Sequence, residues 1–184
     1  HERAKVVRWL IVDEGGDRVI QQWRADVLLC EAAKLGHRSV AEHLLGAKAD
    51  VSDNDNWAVQ CAAENGQVSM VELLIEAKAD ITANCNAPLK SAARHNYLEM
   101  VPVLLGAKAD VTTCMNYPLR YAARRGYLQV VQVLLDAKAD VTANNNFALV
   151  NAARNKHMEV VQMLMEAGAD VRKAMEHSAE LGYD

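Results

Sequence analysis

Apolar positions along this chain fall into trios spaced as one face of a helix. They are Val71/Leu74/Ile75, Val101/Leu104/Leu105, Val131/Leu134/Leu135 and Val161/Leu164/Met165, each trio 30 residues after the last. A spacing of i, i+3, i+4 puts three side chains on one helical stripe. A second marker keeps the same step: the pairs Ala32-Ala33, Ala62-Ala63, Ala92-Ala93, Ala122-Ala123 and Ala152-Ala153. A third closes each unit: Ala47-Lys48-Ala49-Asp50, the three blocks ending at Asp80, Asp110 and Asp140, and Ala167-Gly168-Ala169-Asp170. A fixed period of this length predicts a stacked array of supersecondary units rather than one globular core. The expected fold is all-α, a helix-turn-helix repeat solenoid over residues 1–184. Full units span 23–52, 53–82, 83–112, 113–142 and 143–172. A partial repeat with a long finger occupies 1–22, and another partial repeat 173–184.

Each unit predicts two antiparallel helices. The first starts after an Asx residue in constant register: Asp26, Asn56, Asn86, Asn116 and Asn146. Such a residue is expected to accept a hydrogen bond from a free amide of the first turn. Pro88 and Pro118 follow inside that turn, where a missing amide hydrogen costs little. The helix is expected to stop at Gly36, Gly66, Asn96, Gly126 and Lys156, the place for a left-handed residue. Gly and Asn suit that place; Lys156 should cost about 1 kcal/mol. The second helix covers Val68 to Glu76 and its equivalents, and Pro102 falls harmlessly in the first turn of one. Arg18 to Ala25 fits the repeat least and reads as the longest finger.

The unit resembles the ankyrin repeat, over nearly the whole chain. Tyr117-Pro118-Leu119-Arg120-Tyr121-Ala122 stands where that family has its T-P-L-H-x-A signature, with Pro118 and Leu119 kept and Thr and His absent. Gly126-Tyr127-Leu128 matches the family's Gly-His turn, and Ala167 to Val171 its closing Gly-Ala-Asp. His37 and His157 match the turn histidine, which implies a structural role. The ankyrin unit has about 33 residues; here it has 30, and only the Asp17 to Asp50 interval keeps 33. The loss falls between the closing Asp-Val and the next helix, so the fingers are short. The resemblance implies a non-enzymatic protein–protein interaction scaffold.

Composition changes this picture little. With 51% apolar and 24% charged residues the chain is that of an ordinary folded protein. No apolar run approaches the length of a membrane span, and no basic-then-apolar leader is visible. Cys30, Cys61, Cys85 and Cys114 form no C-x-x-C and fall at different repeat positions. They read as free thiols, not as a disulfide or a zinc site, of an intracellular protein. The cytoplasm is the expected compartment, with nucleus and organelles left open. Val6 to Ile11 reads as a second helix without its first and Met175 to Tyr183 as a first without its second, which predicts a piece of a longer protein.

Charge is more telling. Residues 1–82 hold 9 basic and 14 acidic side chains, 83–157 hold 9 and 4, and 158–184 hold 2 and 6. The overall −4 therefore conceals a basic middle. There the step of 30 aligns Arg94, Arg124 and Arg154, with Lys34 and Glu64 before them. A parallel row reads Cys30, Gln60, Lys90, Arg120, Val150. Lys90/Arg94 and Arg120/Arg124 are four apart and share helix faces. With Arg125 they predict a basic strip for another protein, possible partners including an acidic segment. Nucleic acid is disfavoured by the acidic flanks and by the lack of interleaved aromatics for base stacking. A finger row, Trp57, Ala87, Tyr117 and Phe147, offers either interface anchors or filling for the space of the lost hairpin. Lys48, Lys78, Lys108 and Lys138 stand where the family has Gly, and read as a trace of repeat duplication. His37, His43, His95 and His157 converge on no partner, and no phosphate loop, metal-ligand spacing or nucleophile motif occurs. Neither an enzymatic activity nor a cofactor is expected. The competing expectation is a structural accessory subunit embedded in a large assembly.

Overall fold

In a computed structural model, residues 22–180 and Gly182 are described. Among them the chain forms helices only: α1 Gln22–Leu35, α2 Arg38–Gly46, α3 Asp53–Glu64, α4 Val68–Glu76, α5 Ala83–His95, α6 Met100–Gly106, α7 Thr113–Arg125, α8 Leu128–Asp136, α9 Ala143–Arg154, α10 Met158–Glu166 and α11 Val171–Glu180. They divide into two compact units, one ending at Ala83 and one beginning at Asn84. In the first, α1 packs on α2 and α3, α3 on α4, and α2 on α4. In the second, α7 packs on α8 and α9, α9 on α10 and α11, and α8 on α6 and α10. The expected second helix of Val68 to Glu76 is found with those ends.

The markers of the pattern are the core. Ala62, Ala63, Ala92, Ala93, Ala122 and Ala123 are fully buried, as are Val71, Leu74, Val101, Leu104, Val131 and Leu134. Alanine at the first pair of positions lets helices approach closely. The branched residues fill the remaining space, each worth about 1.5–3 kcal/mol when removed from water. The third member of each trio is only half-buried (Ile75, Leu105, Leu135), and Met165 is 47% exposed.

Every expected left-handed stop is found, with φ of 70° at Gly36, 71° at Gly66, 60° at Asn96, 73° at Gly126 and 61° at Lys156. The lysine row is left-handed too: 67° at Lys48, 71° at Lys78, 69° at Lys108 and 67° at Lys138. The hydrogen bonds there form a Schellman pattern, for instance Lys108 N–H to Leu105 O at 3.0 Å and Ala109 N–H to Leu104 O at 3.0 Å. A β-carbon in that conformation costs about 1–2 kcal/mol. Replacing Lys78 and Lys108 by Gly is therefore expected to hold or raise the thermal midpoint, the gain being offset in part by a more flexible unfolded chain. A clear fall on differential scanning calorimetry would contradict this.

Two expectations are corrected. First, the Asx side chains do not cap their own helices. Asn56, Asn86, Asn116 and Asn146 are buried, and each Oδ1 accepts the backbone N–H of the Asp that closes the unit: Asp80 at 2.6 Å, Asp110 at 2.7 Å, Asp140 at 2.8 Å and Asp170 at 2.8 Å. Asp26 does the same for Asp50 at 2.7 Å. Each of the four Asn ends a run of three left-handed residues, 54–56, 84–86, 114–116 and 144–146, all with φ between 48° and 60°. This left-handed turn occupies the span where the unit has lost its hairpin, and it turns the Asn side chain away from its own first amides. Such strain persists only where neighbours over-determine it. Asn is the side chain that tolerates the region best.

Second, α1 begins at Gln22 rather than after Asp26, so the second half of the expected Arg18 to Ala25 finger is helical. Residues 18–21, the Val6 to Ile11 half repeat, and Leu181, Tyr183 and Asp184 lie outside the described residues. α11 likewise starts at Val171, earlier than Met175.

The closing aspartates complete the turn. In Asp50, Asp80, Asp110 and Asp140 the Oδ1 accepts both the N–H and the hydroxyl of the residue two positions on, such as Ser52 at 2.8 and 2.7 Å from Asp50 and Thr82 at 2.8 and 2.6 Å from Asp80. These bonds, the hydroxyl's first, hold the Asp50 and Asp80 carboxyls below their ordinary 3.8.

A basic groove with aromatic walls

The basic positions gather in the second unit on the first helices of its repeats. Arg94 on α5, Arg124 and Arg125 on α7, and Arg154 on α9 are exposed. Between α7 and α9 lies a groove of about 390 Å³, whose described lining residues include Arg120, Arg124 and Arg154 with Tyr117, Tyr121 and Phe147. Asn151 and Asn155 complete it, and no carboxylate is among them. The sequence row Arg124/Arg154 and the finger residues Tyr117 and Phe147 thus meet at one place. Trp57, 41% exposed on α3, belongs to the other unit.

The second row has a task of its own. Lys90 Nζ donates to Asn84 O at 2.8 Å, and Arg120 Nη2 to Cys114 O at 3.1 Å. Gln60 Nε2 does the same to Asp55 O at 2.6 Å. In each case a long donor six or five residues on satisfies a carbonyl of the left-handed turn. Lys90 and Arg120 are therefore anchored to backbone, whereas Arg94, Arg124 and Arg125 stand further out. Arg120 Nε is buried without a hydrogen-bond partner, and its guanidinium lies 5.7 Å from the centre of the Phe147 ring.

Tyr121 was not singled out by the repeat pattern, yet it organises one wall. Its ring stacks on Tyr117 at 5.7 Å, one helical turn before it. Arg125 lies 5.6 Å over the same ring, and its Nη2 donates to the hydroxyl at 3.2 Å. That hydrogen bond, helped by the charge of Arg125 and by Arg94, holds the phenol below its ordinary 10. Two signals in the sequence pointed to it: Tyr117 four residues before and Arg125 four after, one face of one helix.

Aromatic rings are thus interleaved with the arginines, contrary to the expectation from sequence. Tyr121 is covered by Tyr117 and Arg125, and Phe147 by Arg120 and, edge-on at 5.7 Å, by His177. Rings already covered this way offer poor platforms for base stacking. His157 supports the α7 end: its Nε2 is 3.1 Å from Arg124 O, and its ring packs against Gly126.

Among the described residues no group of three or more His, Cys, Asp or Glu side chains is placed to hold a metal ion. None of the described helices is long and apolar enough to cross a membrane. No curated protein matches the sequence. A family model described as ankyrin repeats (3 copies) matches residues 2–86, 29–114 and 89–175, most of the chain. With the period, the paired helices and the Pro-Leu and Gly-Ala-Asp motifs already in place, the chain belongs to the ankyrin repeat family.

Proposed function

We propose that this chain is a non-enzymatic scaffold that binds an acidic segment of another protein in the groove between α7 and α9. Ankyrin repeats are generally protein–protein interaction modules. The observation that carries the finer reading is the groove itself: Arg120, Arg124 and Arg154 line it and, among the described residues, no acidic side chain does. Stacked helices stand about 8–10 Å apart, close to the Debye length of about 8 Å at physiological salt. Mutual repulsion in the row is therefore modest, and the row persists without a bound anion. Tyr117, Tyr121 and Phe147 add apolar area beside the charges, which suits a segment of carboxylates with an occasional apolar residue.

An exposed charge pair is worth about 0.2–1 kcal/mol, so no single arginine decides affinity. The triple change Arg94→Glu, Arg124→Glu and Arg154→Glu replaces three attractions by three repulsions. It is expected to leave helicity intact and weaken binding about 10- to 100-fold, at about 1.4 kcal/mol per tenfold. Added salt should weaken the wild-type complex in the same direction, mainly through the association rate. The test is a pull-down from lysate with both proteins, then titration calorimetry of the captured partner at two salt concentrations. Unchanged affinity with an intact fold sinks the groove reading. Capture of RNA or DNA in place of a protein sinks the acidic-segment reading.

An exposed apolar patch favours the alternative, an accessory subunit embedded in an assembly. Met165 is 47%, Val171 41% and Met175 67% exposed, around a depression of about 170 Å³ between α9, α10 and α11. A recruited scaffold is expected to be monodisperse when isolated, whereas an embedded subunit aggregates.

A further inference from the structure

The groove between α7 and α9 gathers three guanidinium groups around one space of about 390 Å³. Arg120 and Arg124 stand one turn apart on α7, and Arg154 comes from α9 in the next repeat. Among the described lining residues no carboxylate offsets these charges, and Asn151 and Asn155 add only neutral amides. Neither Arg120 nor Arg124 belongs to an ion pair formed among the described residues. Arg120 is also incompletely satisfied. Its Nη2 donates to Cys114 O at 3.1 Å, while its Nε is buried without a hydrogen-bond partner. An orphaned buried donor is unfavourable, and an acceptor entering beside it relieves that cost.

We propose that the segment received in this groove carries a phosphorylated serine or threonine, whose phosphoryl group is taken by Arg120, Arg124 and Arg154. The inference rests on the reading of the groove as a site for an acidic segment. A carboxylate brings one charge and two acceptor oxygens, and a single guanidinium fork satisfies it. A phosphoryl group brings a charge of about −1.5 to −2 and three acceptor oxygens, so it can bond arginines from two helices at once. The planar forks of arginine suit that ligand, where lysine would act only as a point charge. The walls decide which phosphorylated residue fits. The Tyr121 ring is covered by Tyr117 and Arg125, and the Phe147 ring by Arg120 and His177. Rings covered in this way are poor platforms for another ring, which favours an aliphatic phosphoester over phosphotyrosine.

The full chain is titrated by calorimetry with versions of one acidic peptide that differ only in a central serine, glutamate, phosphoserine or phosphotyrosine. The phosphoserine peptide is expected to bind at least about tenfold tighter than the glutamate peptide, through charge-assisted bonds to a dianion. Arg124→Lys keeps the charge and loses the fork. It should remove most of that gain and leave the affinity for the glutamate peptide nearly unchanged, with circular dichroism checking the fold. Inorganic phosphate should compete only at far higher concentration than the phosphopeptide. Equal affinity for the glutamate and phosphoserine peptides overturns this inference and leaves the acidic-segment reading standing. So does an undiminished gain in Arg124→Lys, tighter binding of the phosphotyrosine peptide, or inorganic phosphate bound as tightly as the phosphopeptide. Binding of none of the peptides overturns both.

Discussion

Asn116→Ala is expected to lower the stability of the chain by about 2–4 kcal/mol, although it removes only a short polar side chain. Asn116 is 3% exposed, and its Oδ1 accepts the Asp140 N–H at 2.8 Å. Removing the acceptor leaves a buried donor unsatisfied, a loss of about 1–3 kcal/mol. Asn116 is also left-handed, with φ 55° and ψ 41°, where Ala is strained and Asn is partly exempt, for about 1 kcal/mol more. The two effects act at one site, so the sum is an upper range rather than a strict total. Asn116→Asp keeps the acceptor, as Asp26 does for Asp50, and is expected to lose less than half as much. Urea unfolding of the three proteins measures this. A loss below about 1 kcal/mol for the alanine variant, well under the combined cost of strain and an orphaned amide, would mean that the Asn row does not hold neighbouring turns together.

Gly126→Ala is expected to cost at least as much, about 3–4 kcal/mol, for a different reason. Gly126 has φ 73°, and a β-carbon there would lie 2.5 Å from His157 Nδ1 and 2.7 Å from its Cε1. The imidazole cannot swing away without giving up its contact with Arg124 O at 3.1 Å. Strain of about 1–2 kcal/mol is thus added to overpacking of about 1–3 kcal/mol. Gly168 is the control. It too has positive φ, at 97°, but nothing lies within 4 Å of its would-be β-carbon, so Gly168→Ala should show the strain alone. If the collision is the larger cause, adding His157→Ala to Gly126→Ala recovers part of the loss. A double variant less stable than Gly126→Ala alone would contradict this account. The readout is the urea midpoint of each variant at constant m value.

How much of this was legible in the sequence depends on whether a feature is local. The 30-residue step exposed the paired helices and their stops, because each follows from spacing and from which residue tolerates positive φ. The Asx row was found at the right residues with the wrong partner. A cap is a contact within one helix, whereas the observed bond reaches 24 residues on, to the turn that closes the unit. The clue was the abundance of Asn in the opening turn of these helices, at 54, 56, 84, 86, 116 and 144–146. The basic strip was legible as charge, but not the anchoring of Lys90 and Arg120. Gln60 in the same row was the sign that a long donor, not a positive charge, is what the position requires. Tyr121 escaped because no aromatic recurs at its repeat position, where Ser91 and Asn151 stand before and after it.

The central claim, that the groove between α7 and α9 receives an acidic segment, is tested most directly by nuclear magnetic resonance. The isotope-labelled chain is titrated with a short peptide of alternating glutamate and leucine, and with its glutamine counterpart. The account predicts saturable shifts at the backbone amides of Tyr117, Tyr121, Phe147 and Asn151 and at the side-chain Nε–H of Arg120, Arg124 and Arg154. These shifts should fade with added salt and be absent with the glutamine peptide. Shifts of equal size with both peptides, or shifts confined to α8 and α10, would contradict it.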